Sequence, residues 1–197
     1  MSIFYNHIGR RRSRLEGMKS FASPLIHSLV VAVAMSCVVA EPLGKNAAST
    51  SPLAPLAFFT NHEWTAKLPD GPDGKTVSIH ARFTWAENHQ SIRISNQFIV
   101  NGKPMPYIDG LYVWNPQKKI IMFWYADAEG NLSEGTVTLS EGRLVHEFQE
   151  MHGDGKVESF VARVSPLANG GGWDNEILAR KEGGLVPVVK VQYLADK

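Results

Sequence analysis

Cysteine is all but missing. The 197-residue chain has one, Cys37, close to the N-terminus. The body beyond it therefore has no disulfide within the chain, no thiolate nucleophile and no cysteine-based metal site. A surplus of charge is missing as well. Five of the 20 basic groups and one of the 19 acidic groups fall in residues 1–40, leaving the body with 15 against 18, a net −3. A mildly acidic body has no electrostatic footprint for nucleic acid. No serine stands in a nucleophile elbow, and Gly170-Gly171-Gly172 lacks the lysine and helix of a phosphate-binding loop. Hydrophobic residues at 44% and charged residues at 20% are globular values, which excludes wholesale disorder, collagen and coiled coil.

The one long apolar run is Leu25–Ala40, broken only by His27, Ser28, Ser36 and Cys37. It follows Lys19 and ends in Val38-Val39-Ala40 before Glu41-Pro42, which is the pattern of a secretory signal. Its 16 residues fall short of the roughly 20 that cross a bilayer. Residues 1–40 are thus expected to be a targeting segment, removed after Ala40, and the protein to be exported to the periplasm or beyond. Ala34-Met35-Ser36-Cys37 is similar to a lipoprotein box, which makes Cys37 the candidate lipidation site. Contact with a membrane is expected only through this segment, if it is retained or lipidated. Arg10-Arg11-Arg12-Ser13-Arg14 has twin-arginine character without the apolar residues expected after the pair. Residues 41–55, rich in Ala, Ser and Pro, read as a flexible tether, and 56–197 as the folded domain.

From Thr60 onward the period is two. Val77, Ile79, Ala81, Phe83 and Trp85 alternate with Thr76, Ser78, His80, Arg82 and Thr84. Turn clusters such as Asn101-Gly102, Glu129-Gly130 and Glu141-Gly142 separate short segments rich in β-branched and aromatic residues. About ten strand candidates follow: 62–68, 76–86, 91–100, 105–114, 119–126, 133–140, 143–152, 156–165, 174–181 and 185–194. Short connections imply an antiparallel meander, and a sheet that wide closes to remove its edges. The predicted fold is all-β, an up-and-down barrel of about 8–10 strands. A two-sheet sandwich shares the same pattern and stays open. Pro52–Phe59 (PLAPLAFF) predicts a short helix able to plug one barrel mouth.

The opening Phe58-Phe59-Thr60-Asn61-His62-Glu63-Trp64 resembles the Gly-x-Trp start of lipocalin-like (calycin-type) barrels, with His62 in the glycine's place. Gly110-Leu111-Tyr112-Val113-Trp114-Asn115-Pro116-Gln117-Lys118-Lys119-Ile120, leading to Trp124-Tyr125-Ala126-Asp127-Ala128-Glu129-Gly130, resembles the central hairpin of exported bacterial lipocalin-like domains. The resemblance spans residues 56–194. It implies a barrel with a central cavity and no single activity.

Candidate chemistry is sparse. In His146-Glu147-Phe148-Gln149-Glu150-Met151-His152, the residues His146, Glu150 and His152 share one strand face. Six residues of extended strand is roughly 20 Å, too far for His146 and His152 to hold one ion, and a solvent-facing strand is expected. No metal site and no cofactor are expected. Arg82 and Arg93 suit a carboxylate or phosphate head group if they line a cavity. The aromatics cluster in one hairpin, where Tyr112 and Trp114 are expected to face Met122 and Trp124 across the turn 115–118. With Arg82 and Arg93 these four are the candidate ligand-binding residues. The expected function is an exported protein holding a small apolar or amphipathic molecule in its barrel. A barrel hydrolase or isomerase using cavity His and carboxylate groups, and a solid-core interaction module of the cell envelope, are the alternatives.

Overall fold

The alternation becomes ten antiparallel strands in the computed structural model of the chain, which describes residues 51–69 and 76–196. They are β1 (Glu63–Lys67), β2 (Val77–Trp85), β3 (Ser91–Val100), β4 (Lys103–Asn115), β5 (Ile120–Asp127), β6 (Leu132–Ser140), β7 (Arg143–Met151), β8 (Val157–Pro166), β9 (Gly172–Lys181) and β10 (Gly184–Ala195). Each strand pairs with its sequence neighbours and β1 pairs with β10, so the sheet is a closed barrel, not a sandwich. Closure leaves no unpaired strand edge. Two tight hairpins help fix the register. Asn101-Gly102 and Glu141-Gly142 hold both central residues at positive φ, the geometry of two-residue turns whose twist matches the strands.

Residues on the inner face carry the core. Val77, Ile79, Ala81 and Phe83 of β2 are buried, and so are Ile92 and Ile94 of β3, Ile121 and Phe123 of β5, and Val191 and Tyr193 of β10. Their alternate neighbours stand outside. A barrel of about eight strands is filled by its own side chains, and wider ones leave room. Inward-facing Phe148 and Ile177 are half-buried.

The N-terminal helix is a 3-10 helix, Ala54–Asn61, with proline in its first turn. It packs into the barrel end where β1 starts and β2 finishes. Phe59 stacks on Phe83 at 4.5 Å and meets Trp173 edge-on at 5.1 Å. The Trp64 indole N–H donates to the Phe59 carbonyl at 2.7 Å. The expected plug is therefore present. Its anchor includes Leu53, 1% exposed, which packs in the same buried cluster as Leu56 and Phe59. The expected targeting segment 1–40, with Cys37, and residues 41–50 of the expected tether lie outside the described residues.

One strand turns its expected face the other way. His146 is 5% exposed and points inward, not to solvent. On β7 the inward set is Leu144, His146, Phe148 and Glu150, and burying Leu144 and Phe148 carries the histidine in with them.

Candidate functional site

The barrel interior holds one polar cluster in an aromatic wall. β4 supplies Tyr112, β5 supplies Tyr125 and β7 supplies His146. The Tyr112 and Tyr125 hydroxyls are hydrogen-bonded to each other, and the Tyr112 hydroxyl lies 3.2 Å from His146 Nε2. Phe123, fully buried, packs beneath them, 5.7 Å from Tyr112, 4.6 Å from Tyr125 and 5.4 Å from His146 between ring centroids. Gly110 sits opposite Tyr125 and its missing side chain is what seats that ring. A methyl group there would stand 2.5 Å from the Trp124 carbonyl oxygen and 2.9 Å from Ile94.

Two more phenols approach from the sides. Tyr107 is an extra residue in β4, because the register with β3 shifts between Asn96 and Gln97, and its ring lies 4.1 Å from Phe98. Tyr193 of β10 stacks on Trp173 at 3.9 Å. Burial raises all four phenols well above the usual tyrosine range. Tyr107 is raised further by the carboxylates Glu150 and Asp127, which places negative charge near the barrel end opposite the helix. Burial lowers His146 to about 4, so its imidazole is neutral at pH 7.

Within the cluster, His146 Nδ1 is buried and makes no hydrogen bond. Elsewhere among the described residues, Asn96 Oδ1, His152 Nε2, Trp173 Nε1 and Asn175 Oδ1 are also buried and make none. Buried polar groups in native proteins nearly always find partners, in the protein or in water.

The structure divides the residues singled out from the sequence. Tyr112 and Trp114 face inward, but their cross-strand neighbours are Phe123 and Ile121. Met122 and Trp124 pair with Val113 and Leu111 on the outer face, so the expected four-residue wall does not form. The reason is the turn. Four residues, 116–119, separate Asn115 from its partner Ile120, which pairs even-numbered with odd-numbered positions. Asn115 Oδ1 holds that turn by accepting from the backbone N–H of Gln117 at 3.1 Å and of Lys118 at 2.9 Å. Outside the barrel, the Trp124 indole N–H donates to Glu134 at 3.3 Å.

Arg82 and Arg93 are brought together, but outside the barrel. They line an outer groove of about 580 Å³ with Glu63, His80, Gln97 and Asp109. The Arg82 side chain is 65% exposed and pairs with Glu63 at 3.3 Å. In the same region His80 Nε2 lies 2.8 Å from Asp196 and 3.4 Å from Glu63. These three groups are close enough together to hold a cation, although the sequence had pointed to no metal site. All are partly exposed and already serve one another and Arg82 as a surface ion-pair network of small energetic weight. His152 lies between Glu150 and Glu158, at 3.6 and 3.5 Å, and shares no site with His146.

His146, Tyr125 and Phe123 were not among the candidate ligand-binding residues. The signal for His146 was its place between Leu144 and Phe148 at strand period. For Phe123 and Tyr125 it was turn length.

Comparison with known proteins finds no matching family model and no matching curated protein.

Proposed function

We propose that this is an exported, lipocalin-like binding protein that holds a small apolar or amphipathic molecule inside its barrel. The observation that carries the reading is the buried polar cluster Tyr112–Tyr125–His146 within an aromatic interior, with His146 Nδ1 and Asn96 Oδ1 left unpaired. A few convergent polar groups on an apolar wall are the general character of small-molecule pockets. The strand count, the half-buried inner aromatics and the closure of one end by Phe59 of the helix support the same reading. Export rests on the signal-like run Leu25–Ala40.

Burial weighs against the enzyme alternative. Proton transfer is efficient when the acid and base titrate near the working pH. Here burial drives His146 down to about 4 and the phenols up, away from neutrality in both directions. That suits a hydrogen-bonding surface better than a proton relay.

Titration with Nile red, a neutral apolar dye, tests the proposal. Saturable uptake by the folded protein, lost on unfolding in urea, is the expected result. A folded protein that takes up no dye would refute it and favour the solid-core interaction module.

A further inference from the structure

Every basic side chain of the strand interiors stands outside the barrel. Arg82 and Arg93 alternate with the inward residues of β2 and β3, and Arg163, Arg180 and Lys190 do the same on β8, β9 and β10. The interior therefore offers no cation to an anionic head group. Carboxylates are kept from its depth in the same way. The acidic residues at inward register positions, Asp127, Glu150 and Glu158, lie near the strand ends opposite the helix. Asp127 is occupied there by Asn131 and by the backbone N–H of Glu129, and Glu158 by Lys156 and Lys181. Lys103 and Lys181 hold inward register positions at that same end, so charge of both signs is confined to the barrel mouth, and an anion lying deeper would have no counter-charge, which is costly in a low-dielectric interior.

What the depth does offer is neutral hydrogen bonding. In either tautomer of His146 that bonds Tyr112 through Nε2, the second ring nitrogen Nδ1 stays unpaired. Tyr193 lies near enough to Tyr107 and Tyr112 for each to raise it further. Asn96, 9% exposed, adds an unpaired amide oxygen from β3. Neutral polar groups thus stand on several strands of the interior, with the Tyr112–Tyr125–His146 cluster as the one joined by hydrogen bonds.

We infer that the bound molecule is an apolar chain or ring ending in an uncharged oxygen group, an alcohol or a carbonyl, whose oxygen is held by the Tyr112–Tyr125–His146 cluster. This rests on the barrel-binding reading and adds the chemical class of the ligand. It replaces the carboxylate or phosphate head group that Arg82 and Arg93 had suggested, since both stand on the outer face.

Displacement of bound Nile red at pH 7.5 by four probes of matched length tests it: 1-decanol, 2-decanone, decanoate and decylammonium. Decanol and decanone are expected to displace the dye at concentrations at least tenfold lower than either ion. One neutral hydrogen bond is worth about a factor of 3–10, so Tyr112→Phe and Tyr125→Phe should each weaken decanol by that amount while leaving decane unchanged. Tyr125→Phe keeps the ring over Gly110 and removes only the hydroxyl, so it stays informative if Tyr112→Phe folds poorly. Displacement by decanoate or decylammonium equal to that by decanol would overturn the inference and leave the binding reading standing. So would Tyr→Phe variants that bind decanol as the wild type does. Absence of Nile red uptake at the outset would overturn both.

Discussion

The register of the β4–β5 hairpin decides which aromatic ring belongs to the interior, and truncation of adjacent residues tests it. Phe123 is fully buried and surrounded by the rings of Tyr112, Tyr125, His146 and Phe148, the last at 5.8 Å. Phe123→Ala removes its transfer free energy and leaves a void that β-sheet walls on both sides cannot collapse, a loss of about 3–5 kcal/mol. At a urea slope of about 2 kcal/mol/M the unfolding midpoint should fall by about 1.5–2.5 M. Trp124, the next residue, is larger but lies outside, half-buried, with its indole N–H on the exposed Glu134. Trp124→Ala loses surface contact without creating an enclosed void, so about 1–2 kcal/mol and a midpoint shift under about 1 M are expected. Urea unfolding of both variants, followed by far-ultraviolet circular dichroism, gives the comparison. A Trp124→Ala variant as damaged as Phe123→Ala would refute the register and the inside–outside assignment built on it.

Gly110→Ala should cost about 1–3 kcal/mol, because the added methyl meets the Trp124 carbonyl oxygen, which cannot rotate away; unfolding midpoints and the near-ultraviolet tyrosine signal check it. His146 gives a pH signature. Its folded pKa of about 4 lies below the ordinary 6.5, so the unfolded chain binds the extra proton first and stability falls as pH drops from about 6.5 to about 4. The loss from this group should reach about 3 kcal/mol at the acid end of that window, and His146→Gln should flatten the wild-type curve there, as urea midpoints at stepped pH would reveal. Export should yield a chain beginning at Glu41, or one lipidated at Cys37, and N-terminal sequencing with intact mass of the exported protein distinguishes these from a retained Met1 or Met18.

Much of the fold was legible because strand period and turn glycine agree along the body. The β2 sequence VSIHARFTW alternates cleanly, and its buried set is the one the alternation marks. The hairpin was not legible in the same way. In β5, IIMFWYAD, both alternating sets are apolar, Ile120, Met122 and Trp124 on one side and Ile121, Phe123 and Tyr125 on the other. Hydrophobicity therefore cannot say which set faces in, and only the length of the turn 116–119 does. His146 was hidden for a different reason. Its distance from His152 ruled out a shared ion and left a solvent-facing strand as the expectation, although Leu144 and Phe148 share its face. Arg82 and Arg93 lie where the alternation of β2 and β3 puts them, on the outer surface, so the head-group role considered for them needed a reversal of faces that the barrel does not make.

Native mass spectrometry of the protein purified from its own host tests most directly the proposal that the barrel interior holds a bound molecule. The account predicts a mass above that of the mature polypeptide by one small molecule, shed on denaturation and soluble in organic solvent. The polypeptide mass alone, from a folded protein that also takes up no Nile red, would contradict it.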